Sequence, residues 1–253
     1  MVAQIHDYGI ELTQNSKVGW ALSLPRNKSC INATDLCRKL CYGNGVRYQT
    51  EDHKLKRERN HRTIALLLDN GGPELLAENL VALVDQARPM DWLAASVAGV
   101  KTSVPWTLRI HDLGDFDRVD YAKAWEIAVR LRPLCSFWFY TRSFLEQELL
   151  EALSALASLP NCQGLLSIDS DNFTDGLRAY ANYPGIWKLA LLQEDQHALA
   201  PDLLPAIQKN VAVGQIISFP YHRAGHHVAP LQSEPLTLCP QVTTTAFPLQ
   251  NNK

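Results

Sequence analysis

Residues 106–142, WTLRIHDLGDFDRVDYAKAWEIAVRLRPLCSFWFYTR, carry the pattern that decides the fold. An apolar run at 106–111 ends in a polar turn at 112–116, and a second apolar run covers 136–141. Between them, residues 120–132 have the spacing of an amphipathic helix. Two apolar runs separated by a helix of this length are typical of parallel strands joined by a crossover connection. The stretch therefore predicts a βαβ unit.

The same alternation continues in both directions along the chain. Further strands are predicted at 19–24, 164–169, 186–192 and 211–219, and further helices at 51–68, 74–86, 145–159, 174–183 and 201–209. A break at 70–73 (NGGP) separates the first two of these helices. Beyond residue 100 the strands recur about every 25 to 30 residues, as in βα barrels. We predict an α/β fold, a partial TIM-like barrel with parallel strands.

The domain organisation follows from the same pattern. We predict one domain over residues 1–253, with a βα core at 19–220 and an irregular tail at 221–253. The hydrophobic content of 46% and the charged content of 20% are ordinary for a globular protein. The chain has no apolar run of membrane-spanning length and no apolar signal core at its start. We expect a cytoplasmic protein with reduced thiols and no membrane partner.

The loop at 25–45, after the first predicted strand, contains three of the six cysteines, Cys30, Cys37 and Cys41. Thr34 as N-cap and Asp35 in the first turn predict a short helix that places Cys37 and Cys41 on one face. Cys30 can fold back toward that face. Soft sulfur ligands favour an iron–sulfur cluster or zinc. The alternative is that the three thiols pack as small hydrophobic side chains.

Cys239 separates two kinds of metal centre. If it is a fourth ligand, every iron of a [4Fe-4S] cluster is bound by protein, and the centre is structural or transfers electrons. If it is not, one iron is open to a substrate or cofactor. Cys239 precedes Pro240, as cysteines that complete ferredoxin-type clusters often do. Both alternatives remain open, whereas Cys135 and Cys162 are predicted to pack in the core.

Polar residues follow every predicted strand, and ligands of parallel α/β folds bind at these carboxyl ends. The predicted catalytic residues are His111, Asp115, Arg142 and Asp169. The predicted cofactor-binding residues are Gly114, Asp115, Ser167 and Ser218. Because the cysteine loop occupies the equivalent place after the first strand, we expect the thiols and these residues to line one site at the carboxyl ends of the strands.

The charge pattern gives little information about binding partners. The net charge of −2 gives no general attraction for nucleic acid. The basic run at 54–62 could contact phosphates, but Glu51, Asp52 and Glu58 favour a solvated helix face. Nucleic acid therefore stays a weakly supported partner beside a small-molecule substrate or cofactor.

Several segments together resemble one phage family. They are GWALSLP at 19–25, ATDLCRKLCYG at 33–43, RERNHR at 57–62, LRIHDLGDF at 108–116, DYAKAWEIA at 120–128 and FWFYTRS at 137–143. This combination resembles the phage gene product eighty-eight family. The resemblance implies that Cys30, Cys37 and Cys41 belong to one site and that the turn at 114–116 faces it. Near the end of the chain, this sequence has only Cys239 to match further cysteines of such proteins.

The architecture is also similar to that of the radical S-adenosylmethionine superfamily. That resemblance implies a [4Fe-4S] cluster on the cysteine loop, with S-adenosylmethionine at the open iron. It further implies that the turn after the second strand, here Gly114-Asp115, contacts the amino group of the cofactor. The usual motif of that superfamily is C-x3-C-x2-C, whereas this chain has C-x6-C-x3-C.

Three functional hypotheses follow. The first is an iron–sulfur enzyme that performs radical or reductive chemistry with S-adenosylmethionine and needs an electron donor. The second is a non-catalytic cluster protein for electron transfer or redox sensing, with Cys239 as fourth ligand, either alone or in association with nucleic acid. The third is a structural zinc protein that uses the same four cysteines.

Overall fold

The computed structural model describes residues 9–15, 19–88, 106–193 and 216–220. The strands are β1 Leu12–Asn15, β2 Gly19–Ser23, β3 Trp106–Leu113, β4 Cys135–Thr141, β5 Cys162–Ile168, β6 Trp187–Gln193 and β7 Ile216–Pro220. The helices are α1 Arg26–Ser29, α2 Asp35–Leu40, α3 Glu51–Gln86, α4 Val119–Arg130, α5 Gln147–Ala157 and α6 Phe173–Asn182. Short 3-10 turns occupy Tyr42–Asn44 and Val46–Tyr48.

The strands form one seven-stranded sheet in chain order. Neighbours from β2 to β7 pair in parallel, and β1 pairs antiparallel with β2. Over the described residues β1 and β7 each have one neighbour, so the sheet is open there. The predicted α/β class with parallel strands is confirmed. The mostly polar strand β1 has no counterpart among the predicted strands.

The main core lies between the sheet and helices α3 to α6. One cluster of buried residues joins these helices to alternate strand positions, including Leu22, Leu108, Phe137, Leu166 and Leu189. Parallel strands in chain order with right-handed crossovers carry their helices on one face, and this cluster has that arrangement. The buried apolar strand residues outside this cluster are Ala21, Leu113, Trp138, Leu165 and Ala190.

Helix α3 is kinked where the sequence predicted a break. Gly71 and Gly72 leave the helical conformation, and Gly72 has a φ of +67°, which favours glycine. Pro73 follows and lacks the N–H that an uninterrupted helix would use. The chain therefore changes direction at the predicted position and continues as helix to Gln86.

Two side chains of α3 fasten it to the sheet. The buried Asn60 accepts a hydrogen bond from the Glu11 N–H (2.9 Å) and donates to the carbonyl oxygens of Glu11 (3.0 Å) and Ser23 (3.2 Å). His61 Nε2 lies 2.8 Å from Asp117 Oδ2, in the turn after β3. These contacts fix α3 against β1, β2 and the turn that leads into α4.

Some predictions fall elsewhere in the chain. The helix at 201–209, the start of the strand at 211–219 and the tail at 221–253 lie outside the described residues. Among the helices that the structure describes, none combines the length and the apolar character that a membrane crossing requires.

Candidate metal centre

Helix α2 begins at the predicted N-cap. The Thr34 hydroxyl accepts a hydrogen bond from the Cys37 N–H at 3.0 Å, which satisfies one free donor of the first turn. The same hydroxyl donates to Asp169 Oδ2 at 2.7 Å, at the carboxyl end of β5. The cap therefore also joins α2 to the loop after β5.

A buried ion pair stands behind this cap. Arg142 Nη1 donates to Asp169 Oδ2 at 2.6 Å, and the Asp169 side chain is fully buried. The second carboxylate oxygen, Oδ1, accepts the Asp171 N–H at 2.9 Å. Asp171 Oδ2 in turn accepts the Leu36 N–H at 3.3 Å. A buried charge pair is tolerated when its remaining hydrogen-bonding capacity is satisfied, and both oxygens of Asp169 are.

Asp115 is committed to the backbone around it. Its Oδ2 accepts the Arg142 N–H at 2.7 Å, and its Oδ1 accepts the Phe116 N–H at 2.8 Å. Burial raises the pKa of Asp115 to about 6, and the hydrogen bonds from Arg142, Phe116 and Thr141 oppose that rise. The Asp115 N–H donates to Ser29 Oγ at 3.3 Å, next to Cys30. The carboxylate thus positions the ends of β3 and β4.

Gly114 allows the turn after β3 to approach the cysteine loop. Its φ is +101°, and a Cβ there would lie 2.6 Å from Leu24 Cβ and 2.8 Å from Ser29 Oγ. A side chain at this position would push away the segment that leads to Cys30. Within the described contacts, Gly114 therefore packs against that segment.

Cys30, Cys37 and Cys41 are each partly exposed and share one electrostatic environment. Burial is the main cause that raises the pKa of Cys30, followed by the charges of Asp115, Cys37 and Cys41. Adjacent negative groups make it costly to form several thiolates at once. A bound cation would reverse that cost.

Arg142 lies near the second cysteine. Burial raises the pKa of Cys37, and the charge of Arg142 opposes that rise more than any other group. Cys41, Asp169 and Asp115 raise the pKa further. The guanidinium therefore offsets part of the cost of forming the Cys37 thiolate, which is the form that binds metal.

The three thiols are not arranged as a metal site in this structure. Among the described residues, no group of three or more His, Cys, Asp or Glu side chains is arranged to hold a metal ion. Binding one metal centre through all three thiols therefore requires their side chains to move closer together. Gly43 packs closely beside Cys41, because a Cβ at Gly43 would lie 3.3 Å from Cys41 Sγ and 2.7 Å from Leu113 Cδ1.

The structure brings some predicted site residues together and separates others. Asp115, Arg142 and Asp169 meet at the carboxyl ends of β3, β4 and β5, beside the cysteine loop. His111 instead points into the core, 2% exposed, with Nε2 2.8 Å from the Tyr121 hydroxyl. Burial lowers the pKa of His111 to about 3, and Arg109 adds to the effect.

The remaining predicted residues have different positions. Ser167 is partly exposed in β5, between two core residues of that strand, and Ser218 pairs with Leu191 in β7. Cys239 lies outside the described residues. Cys135 and Cys162 both belong to the core cluster.

The contact between Thr34 and Asp169 was not predicted. The cap itself is readable from the sequence, because a threonine before an acidic first turn is a common helix start. Its partner lies 135 positions along the chain, and no local pattern carries that information.

The comparisons with known proteins add a family. The sequence model described as Gene product 88 matches residues 6–211 of the chain. The chain belongs to the Gene product 88 family. The matched range contains the three cysteines of the loop together with Asp115, Arg142 and Asp169, and it ends before Cys239.

The other comparisons give no neighbour for this Gene product 88 protein. No curated protein and no solved structure matches it. These comparisons therefore give no support to the expected similarity to the radical S-adenosylmethionine superfamily.

Proposed function

We propose that this Gene product 88 protein is an iron–sulfur enzyme that binds a [4Fe-4S] cluster through Cys30, Cys37 and Cys41 and uses S-adenosylmethionine. The observation that carries the proposal is the position of Cys30, Cys37 and Cys41 in the segment directly after β2, the first parallel strand. Thiolates are the usual ligands of such clusters.

Topology supports the same proposal. Six parallel strands in chain order, with their helices on one face, are the arrangement expected of a partial βα barrel. Sites of such folds form at the carboxyl ends of the strands, where the loops after β2, β3, β4 and β5 are hydrogen-bonded to one another. The proposed centre lies on this edge.

The donor set fits a cluster with one open iron. Three cysteines supply soft sulfur ligands for three irons, and a [4Fe-4S] cluster has a fourth that other groups can bind. Such a cluster, when bound, supplies an electron and a coordination site for the amino and carboxylate groups of S-adenosylmethionine.

The surrounding side chains prepare the thiols and hold their loop. Arg142 stabilises negative charge on Cys37. Its ion pair with Asp169 fixes Asp169 Oδ2, the oxygen that accepts the hydrogen bond of the Thr34 hydroxyl. That hydrogen bond would hold α2 in place while Cys37 and Cys41 bind a metal. Arg142 and Asp169 are therefore positioning residues in this proposal, and Asp115 holds the backbone of Arg142 in place.

The visible absorption spectrum of anaerobically purified protein tests the proposal. We expect a brown protein with the broad charge-transfer absorption of an iron–sulfur cluster, and we expect Cys37→Ser to lose it. Cys135→Ala is the matched control, since it removes a thiol from the buried core at the amino end of β4, away from the proposed centre. A colourless wild-type protein that contains zinc would overturn the proposal in favour of a zinc site.

A second experiment distinguishes an open cluster from a closed one. Electron paramagnetic resonance of the reduced protein should change when S-adenosylmethionine is added, if one iron is open. An unchanged spectrum, together with loss of the cluster in Cys239→Ala, would favour the non-catalytic electron-transfer alternative.

A further inference from the structure

The segment that carries the cysteines is strongly basic, although the whole chain is slightly acidic. Residues 26–62 contain ten Lys and Arg against four Asp and Glu, while the complete chain has a net charge of −2. The excess of positive charge is therefore confined to α1, α2, the 3-10 turns and the first turns of α3. A local excess of this kind creates a field that attracts anionic partners regardless of the net charge.

Internal contacts join α1 and the second 3-10 turn of this segment to α3. Lys28 Nζ lies 2.5 Å from Glu58 Oε2, which joins α1 to α3. Arg57 Nη2 donates to the Tyr48 carbonyl oxygen at 2.8 Å. Arg26 lies close enough to Arg57 to lower the pKa of that guanidinium, although burial is the larger cause. Like charges are thus kept near one another, an arrangement that an anionic ligand would relieve.

Four cations of the segment are exposed and make no ion pair within the part of the chain that the structure describes. They are Arg38, Arg47, Lys54 and Arg62. In contrast, Lys56 and Arg59 are both paired with Glu11. The four exposed cations are named here the basic surface.

Exposed apolar side chains lie between these cations along the chain. Tyr42 is 49% exposed and Val46 is 88% exposed, in the two 3-10 turns between α2 and α3. Surfaces that bind single strands of nucleic acid combine cations for the phosphates with aromatic rings on which bases stack. Paired bases would not be free to stack on Tyr42.

We infer that the basic surface binds the phosphate backbone of single-stranded nucleic acid, with Tyr42 as a stacking platform for an unpaired base. The inference names a substrate class for the proposed centre, and in that respect it rests on the proposed function. Binding itself needs no cluster, so it can be measured whether or not iron is present.

Fluorescence anisotropy of the full-length protein tests the inference. The probes are labelled DNA and RNA oligonucleotides of one mixed sequence, about 16 nucleotides long, the upper site size of a single-strand-binding fold. The test variant is Arg38→Gln/Arg47→Gln/Arg62→Gln. The control is Lys123→Gln/Arg130→Gln/Arg178→Gln, which removes three exposed charges that are paired with Asp120, Glu126 and Asp175 on α4 and α6.

We expect wild type and control to bind at least one probe, with an affinity that falls as salt increases. If each of the three arginines neutralises one phosphate, the test variant should flatten the log–log salt slope by about 2 and weaken binding up to about 100-fold at 0.1 M salt. Tyr42→Ala should weaken binding about fivefold or more, since stacking is lost.

The inference is overturned if neither probe binds at about 50 mM salt. It is also overturned if the control variant loses as much affinity as the test variant, or if a duplex of the same sequence binds more tightly than either single strand. Absence of iron together with retained binding would sink the proposed function and leave this inference standing.

Discussion

At the scale of single residues, His111 is the clearest source of pH dependence. Its pKa falls from 6.5 to about 3 in the folded protein because the imidazole is buried. Between these values the unfolded chain binds more protons than the folded state, so the contribution of His111 makes stability decrease as the pH falls below 6.5. We predict that urea unfolding midpoints drop from pH 7.5 to pH 5 in wild type and drop less in His111→Phe. His53→Gln changes a partly exposed position of α3. If it reduces the drop of the midpoint as much as His111→Phe does, this assignment is wrong.

The partner of His111 gives a second prediction. Removing the imidazole leaves the buried Tyr121 hydroxyl without the acceptor or donor that lies 2.8 Å away. His111→Phe should therefore cost about 1–3 kcal/mol of unfolding free energy at pH 7.5. His111→Phe/Tyr121→Phe should recover most of the loss, because replacing both partners by apolar groups is nearly neutral. No recovery in urea titrations of the double variant would mean that the hydrogen bond is not the cause.

At the scale of elements, the irregular pairing of β3 accounts for the position of His111 in the core, whereas the sequence predicts a role for it at the carboxyl end of the strand. The pairing of β2 with β3 runs Ala21 to Arg109, Leu22 to His111 and Ser23 to Leu113, with register shifts between them. Such bulges interrupt the alternation of side chains along a strand. Ile110 and His111 consequently both contact the helix-side core. The position of the strand could be predicted, but its bulges depend on the neighbouring strand.

Helix α2 depends on contacts beyond its own sequence. Six residues form too short a helix to be stable alone, so its cap and its bonds to β5 must hold it. We predict that Thr34→Ala destabilises α2 by about 1–2 kcal/mol, through loss of the cap and of the bond to Asp169. Amide hydrogen exchange of residues 37–40 should become faster. Thr34→Ser is the control and should exchange nearly as slowly as wild type; faster exchange in both variants would show that the hydroxyl is not responsible.

At the scale of the whole molecule, the periodic part of the chain was the predictable part. The strands from β2 to β6 and helices α3 to α6 follow apolar spacing that a sequence displays directly. Asp115, Arg142 and Asp169 were also expected to meet, because carboxyl ends of neighbouring parallel strands share one edge. Strand β1 was missed because Leu12–Asn15 has no apolar alternation and is held by β2 and Asn60. Its pairing is a property of the assembled fold.

The most direct measurement is the iron and acid-labile sulfide content of anaerobically purified full-length protein. Wild type is compared with Cys30→Ser/Cys37→Ser/Cys41→Ser and with the core control Cys162→Ala. We predict about four iron and four sulfide per chain in wild type and in the control, and almost none in the triple variant. Wild-type protein without iron and sulfide, or a triple variant that retains both, would contradict the assignment of Cys30, Cys37 and Cys41 as cluster ligands.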